Sequence, residues 1–378
     1  MHVHTNQFRD PGWRWPLPQQ LDSPQTLLMV FGAPELGDHP ALAALRDQFP
    51  ASALVGCSTA GEILGAEVSD ASLALAVVRF EHSELRVVSQ PITAADQSYA
   101  VGQQLAAALA GPGLRSVFVL SDGLGVNGSE LVKGLTSSLP PGVVVTGGLA
   151  ADGDRFQRTW VISEGQACTG RITATGFYGD RLRVCHGSRG GWDSFGPERR
   201  ITRSQGNVLY ELDGKPALQL YKDYLGDRAS GLPATGLLFP LAIRADANDQ
   251  RQIVRTILAV NEAEQSMTFA GDVPKGHLAQ LMRANFDRLV TGASEAADLA
   301  RANDAGDTSP LLAVAISCVG RRLVLGERVE EETEVTLDSL GPGAQQVGFY
   351  SYGEISPHTS GGCDLHNQTM TLTTWREC

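Results

Sequence analysis

Apolar runs of strand length alternate with polar, helix-forming stretches through most of this chain. Residues 26–31, 52–57, 72–80, 85–90, 114–121 and 142–146 read as strands. The run at 72–80 is almost unbroken in Ser, Leu, Ala and Val, which predicts a strand covered on both faces. Between these runs, 40–49, 94–109 and 129–138 carry helical composition, and Gly111-Pro112-Gly113 is a stop signal after the second. Past residue 152 the segments shorten to 159–163, 170–178 and 181–186, the pattern of an antiparallel meander, which is expected to end in a glycine-rich loop over 185–198. Strands are then expected at 201–211, 235–243, 253–260, 266–269, 311–317, 344–350 and 369–374. Helices are expected at 217–224, 277–302 and 321–337. The longest, 277–302, places Leu278, Leu281, Met282, Phe286, Leu289 and Val290 at helical spacing. Alternating strands and helices followed by a meander give an α/β, mixed α+β fold: two related domains with mixed sheets flanked by helices. Residues 1–25, with four prolines and two tryptophans, read as an extension lying over the surface rather than as a regular element.

One stretch recurs. Val55-Gly56-Cys57-Ser58-Thr59-Ala60-Gly61-Glu62-Ile63 and Val347-Gly348-Phe349-Tyr350-Ser351-Tyr352-Gly353-Glu354-Ile355 agree at Val, Gly, Gly, Glu and Ile without a gap. Each follows a predicted strand, so an internal duplication is expected. A partial third copy, Val145 to Asp152, closes another apolar strand with Gly147 and Gly148. Glycines in these places serve turns and close backbone approach. On this pattern Gly56, Cys57, Ser58, Gly61, Glu62, Gly148, Gly353 and Glu354 are expected to rim a ligand pocket between two domains.

The chain has 378 residues, more than one ordinary core accommodates. Its formal net charge of −12, without a basic cluster, argues against nucleic acid or anionic membrane as partners. The start has no charged segment followed by an apolar one, and no stretch has the roughly 18–20 apolar residues of a membrane helix. Six cysteines without C-x-x-C spacing suit reduced thiols, and a cytoplasmic location is expected.

The 55–63 stretch, Ser121-Asp122-Gly123 and Gly147-Gly148-Leu149-Ala150-Ala151-Asp152 resemble the N-terminal part of the FIST sensory family. Gly348 to Ile355, followed by Leu365-His366-Asn367-Gln368-Thr369, resembles its C-terminal part. The resemblance implies an N-terminal domain over 26–215 and a C-terminal domain over 216–378. It also implies an input protein that binds a small molecule and signals to a partner. No kinase or cyclase is recognisable in the chain, so a separate sensor histidine kinase, diguanylate cyclase or phosphodiesterase is the implied partner. The His-Gly-x-x-x-Gly-Trp stretch at 186–192 is similar to the NosP-type branch of the family, which implies haem b and a diatomic gas such as nitric oxide.

Haem iron needs an axial imidazole or thiolate in an apolar pocket. His186 is the leading candidate, with Gly187, Arg189, Trp192 and Phe195 around it, and His358 or His366 the next. Tyr350 and Tyr352 are candidates for bonding a ligand or the propionates. Cys185 is expected to point to the opposite face of the strand from His186. Two other readings stand beside haem. One is a metal-free sensor of a small organic metabolite such as an amino acid. The other is a cysteine-dependent hydrolase, since Cys57 follows a strand where a nucleophile would stand, although no histidine partner is assignable. Cys363, His366 and Cys378 offer three ligands for zinc where a structural site takes four. Oligomeric state is open, with a homo-oligomer possible.

Overall fold

Three times the chain lays down two parallel strands joined by helix. In a computed structural model describing residues 1–249, 252–302, 309–358 and 361–378, the helices are α1 (Pro40–Gln48), α2 (Ser98–Leu109), α3 (Gly128–Ser138), α4 (Ala217–Leu225), α5 (Phe286–Arg301), α6 (Val319–Leu325) and α7 (Val329–Leu340). Thr26–Gly32 and Ala53–Ser58 are joined through α1 and form the centre of sheet I. Leu114–Ser121 and Val144–Leu149, joined through α3, form that of sheet II. Leu311–Cys318 and Ala344–Ser351, joined through α6 and α7, form that of sheet III. The mixed α+β architecture expected from the pattern is the one observed.

After each parallel pair the chain leaves for another sheet. From sheet I, Glu62–Leu64 crosses to pair with Ala344–Ser351 of sheet III. From sheet II, Val161–Ser163 crosses to Ala53–Ser58 of sheet I. From sheet III, Gly353–Pro357 crosses to Val144–Leu149 of sheet II. The chain then returns to its own sheet as Leu73–Arg79, Arg171–Tyr178 or Met370–Glu377, antiparallel to the first strand of its pair. The three units are cyclically interlocked, and the duplication expected from the sequence is a triplication with two well-preserved copies. Sheets II and III each draw strands from both sides of residue 216.

The inner faces of all three sheets meet in one core. Met29, Phe31 and Val55 of sheet I, Phe118 and Leu120 of sheet II, and Val314, Ile316, Phe349 and Trp375 of sheet III belong to it. The Phe31 and Phe349 rings stack at 4.7 Å. The recurrent glycines have a packing cause. A Cβ on Gly56, Gly147 or Gly348 would collide with the carbonyl oxygen of Val30, Val119 or Ala315, each on the neighbouring parallel strand. Outer faces are covered by α1 on sheet I, by α2 and α3 on sheet II, and by α5 and α7 on sheet III.

Residues 192–284 are an insertion between the edge strand Leu182–Arg189 of sheet III and α5. They form sheet IV, in the order Ile253–Arg255, Leu241–Arg244, Leu278–Ala284, Trp192–Gln205, Val208–Leu212, Ser266–Phe269, Ile257–Asn261. Its own core, with Ile201, Leu209, Phe269 and Leu281, packs on α4 through Leu218 and Tyr221.

Four expectations are corrected. The first 25 residues are not an irregular cover: His2–Arg9 pairs along Leu73–Arg79 as a strand of sheet I. Its buried Asn6 and Gln7 are satisfied by Trp15 O and by Ser69 and Ser72. The helix expected over 277–302 begins only at Phe286, because Asn285 caps it by accepting from Arg288 N. Leu278–Ala284 is a strand whose apolar spacing mimicked a helix. The acidic helix at 321–337 is two helices, broken at Gly326 with φ +55°. The glycine-rich stretch at 185–198 is two strands, Leu182–Arg189 and Trp192–Gln205, meeting at Gly190-Gly191.

A buried ion pair holds that meeting point. Arg321 and Glu332, both fully inaccessible, lie 2.7 Å apart. Arg321 also donates to Gly190 O and Leu289 O, and Glu332 accepts from Ser317 and Tyr350. Removing one partner strands a buried charge, which costs about 3–5 kcal/mol. Arg321→Met is therefore expected to lower unfolding stability by about that amount, and Arg321→Met with Glu332→Leu by clearly less. Urea denaturation of the two variants checks this; equal losses would refute it.

Candidate functional site

The two recurrent glutamates end in matching environments. Thr59 Oγ1 donates to one oxygen of Glu62, while Ser72 donates to the other through both N and Oγ, at 3.2 and 2.7 Å. Ser351 Oγ donates to one oxygen of Glu354 at 2.7 Å, while Thr369 donates to the other through N and Oγ1, at 3.1 and 2.9 Å. In sheet II the place is taken by Asp122, which accepts from Gly170 N and Thr159 Oγ1. In all three units a buried carboxyl grips the residue just before the returning strand. Burial pushes Glu62 up to about 7 and Glu354 up to about 8 despite these donors.

These residues are clamps inside the fold. Gly56, Cys57, Ser58, Gly61, Glu62, Gly148, Gly353 and Glu354 are buried, and none lines the cavity described below. Cys57 is fully buried, and its thiol is pushed well above the usual range by that burial, the opposite of an activated nucleophile.

The residues grouped around His186 are dispersed. His186 is half-buried on an edge strand opposite Thr373, and burial lowers its pKa. The side of Gly187 is closed by α5, where a Cβ would strike Ala296 O, so that glycine admits a helix. Arg189 lies 3.6 Å from Glu295. Trp192 is buried and donates to Gln368 O at 2.9 Å, and Phe195 is exposed on sheet IV beneath Arg283. Tyr350 is fully buried and bonds Glu332 at 2.7 Å. Tyr352 bonds Asp152 and stacks on Phe156 at 4.7 Å. The zinc trio is separated: the Cys363 thiol donates to Val145 O, His366 Nε2 bonds Ser356 O, and Cys378 N bonds Arg181 O. No cluster of three or more metal-ligating side chains occurs among the described residues.

A cavity of about 400 Å³ does open, where the insertion meets the interlocked body. The insertion supplies Ile243, Arg244, Ile253, Arg255 and His277; α3 supplies Ser129 and Lys133; His358, and Asp364 of the strand Cys363–His366, also line it. Arg255 is 3% exposed. It donates to Asp272 O at 3.0 Å, Leu365 O at 2.7 Å and Ser129 Oγ at 3.1 Å, and lies 3.6 Å from the Asp364 carboxylate. Burial alone would raise the Asp364 pKa, but His358 beside it and the Arg255 guanidinium carry it down to about 2. Asp364 is therefore ionised at every ordinary pH. His366, edge to face with His358 at 4.6 Å, is lowered to about 4 by burial and by that neighbour. Beside Arg255, Lys133 binds Asp272 at 2.6 Å, and Asn127 binds the same carboxylate at 2.8 Å. Cations and carboxylates thus face one space, which Ile243, Ala245, Ile253 and Pro274 also line.

Of the expected ligand residues only His358 reaches this cavity. Arg255 was missed, although an arginine inside the apolar run Ile253-Val254-Arg255-Thr256-Ile257-Leu258 is the signal of a buried charge with a task. Asp364 stands between Cys363 and His366, two of the three residues weighed for zinc.

Residues 26–215 match the FIST N domain and residues 217–357 match the FIST C domain. An uncharacterized protein of Methanocaldococcus jannaschii is 25% identical over 236 residues, covering 56% of this chain and 45% of that protein. The chain thus spans less than half the length of that relative.

The cysteine chemistry is testable. Under native conditions iodoacetamide is expected to modify the exposed Cys378 first and to leave Cys57 and Cys318 intact until the protein is unfolded. Peptide mass spectrometry reads the order, and rapid native labelling of Cys57 would restore the hydrolase reading. The buried glutamates set a pH dependence. A carboxyl whose pKa is raised on folding stabilises fully below its unfolded value near 4.5 and loses that contribution as pH rises through about 8 for Glu354. Glu354→Gln is therefore expected to raise the Tm at pH 9, by roughly 5 °C or more, and to change it little at pH 5. Equal shifts at the two pH values would contradict this.

Proposed function

The chain belongs to the FIST family, whose domains mark signal-transduction sensors, and we propose that its ligand occupies the cavity between sheet IV, α3 and the 353–366 hairpin. The ligand is a small polar metabolite carrying both charges, such as an amino acid. The observation that carries this reading is Arg255. A guanidinium removed from water in a cavity wall and facing the fixed carboxylate of Asp364 is what recognition of a charged small molecule requires. Lys133, Arg244 and Asp272 supply further opposed charges on the same space.

Haem fits these residues poorly. A flat macrocycle needs apolar walls around its iron ligand, whereas His358 opens onto Arg244, Arg255, Lys133, Asp272 and Asp364. The strand bearing His186 is closed on its Gly187 side by α5. The sensory character of the family supports output through a separate protein, and a sensor histidine kinase or a cyclic-di-GMP enzyme is the partner suggested by the resemblance. No helix among the described residues is long and apolar enough to cross a membrane.

At least one of the twenty proteinogenic amino acids at millimolar concentration is expected to raise the Tm. Arg244→Ala and His358→Ala are expected to weaken that ligand's affinity about tenfold, near 1.4 kcal/mol, with little change in Tm without ligand. Calorimetry measures both. No binding across the panel, with a Soret band responding to nitric oxide after haem reconstitution, would move the assignment to a haem sensor.

A further inference from the structure

The insertion is attached to the body in an unusual way. The chain enters it at Gly190-Gly191 and leaves at Asn285, and these crossings are neighbours, because Trp192 pairs with Ala284 at the end of sheet IV. Both are fixed. Gly190 O accepts from the buried Arg321, Gly191 lies against the backbone of Arg288, and Asn285 caps α5. Sheet IV therefore hangs from one pivot.

Away from the pivot it is clasped to the body through polar groups and through the buried Leu237 and Ala270. Arg255 reaches from the insertion to Leu365 O of the hairpin and Ser129 Oγ of α3. Asp272 N donates to Ser129 Oγ, and its carboxylate holds Asn127 and Lys133. The packing is close, since a Cβ on Gly271 would press Ser129 Oγ at 2.6 Å and Arg255 Cζ at 3.0 Å. These groups line the cavity or adjoin it. Arg244, Arg255, Asp272 and His277 approach it from the insertion, and Ser129, Lys133, His358 and Asp364 from the body.

We infer that the insertion is a hinged lobe, pivoting at Gly190-Gly191 and Asn285, and that a ligand in the cavity is signalled by tightening the Arg255–Asp272 clasp between lobe and body. The inference rests on the ligand reading above. A molecule with both charges contacts lobe and body at once and so favours the clasped arrangement. Differential contact of this kind is the only way a ligand shifts such an equilibrium. The clasp joins ion pairs and hydrogen bonds to an apolar contact in which Leu237 and Ala270 of the insertion are buried against the body, and opening it parts that contact as well.

The test uses the full chain with spin labels at Ser137→Cys on α3 and Lys215→Cys on the lobe, both exposed, in a Cys378→Ser background. Distances are measured by double electron–electron resonance. Asp272→Asn is expected to add a longer-distance population absent or minor in the parent. Lys133→Gln weakens the same contact from the exposed side and is expected to do so too, which keeps the test valid if Asp272→Asn folds poorly. An equimolar mixture of the twenty amino acids is expected to remove that population. If both substitutions leave the distribution as narrow as in the parent, the hinge is overturned. If the mixture raises the Tm of the variants themselves but leaves their distances unchanged, signalling through the clasp is overturned while the ligand site stands. If the variants open and the mixture produces no thermal shift in any protein, the hinge is supported and the amino-acid ligand class is what fails.

Discussion

Everything in this architecture depends on buried carboxyl groups that hold a backbone N–H at the point where the chain returns to its own sheet. Glu62, Asp122 and Glu354 sit at those points in the three units. Each strand that crosses between sheets leaves a turn in the interior, where an unpaired N–H or hydroxyl costs about 1–3 kcal/mol. A carboxyl that accepts several donors meets that demand within one side chain. The cost is the carboxyl's own desolvation, visible as the raised pKa values of Glu62 and Glu354. The glycines of the same motif are a second part of the constraint, since the carbonyl of the adjoining strand occupies the space of their missing Cβ.

The candidate site lies where this pseudo-symmetry is broken. Only the third unit carries an insertion, and the cavity forms between that insertion and elements of the other units, α3 from the second and the 353–366 hairpin from the third. The repeated motif maintains the body; the unrepeated segment brings Arg255 and Arg244 to it. Repetition marks what the fold needs, and departure from it marks where a ligand can be met.

Most of the body was legible from periodicity. The parallel strands are continuous apolar runs, as strands covered on both faces must be, and α2 and α3 end near their glycine and proline signals. What failed did so for local reasons. His2–Arg9 is strand-forming but polar, because it lies at a sheet margin with Asn6 and Gln7 bonded internally. Leu278, Leu281 and Met282 fit a helical period and a strand equally over seven residues, and Asn285 was the cap that decides between them. For the site, the motif glycines and glutamates were read as a rim because recurrence was equated with recognition. Arg255 and Asp364 gave only the weaker signal of charge within apolar or histidine-containing runs. Their partnership joins residues about 110 positions apart, which no single-sequence pattern reports.

The cyclic exchange of strands also orders events in time. Sheet I lacks its crossing strand until residue 161 has been synthesised, and sheet II lacks its own until residue 353. Glu62–Leu64 must wait for Ala344–Ser351, made nearly 300 residues later. Neither of the first two units can therefore close as the ribosome delivers it. The chain emerges with open sheet edges, and its decisive pairings are long-range, the condition under which folding is slow and partly folded chains seek wrong partners. The vulnerability of such a nascent chain to aggregation lies in the interval before its last pairings form rather than in the finished molecule.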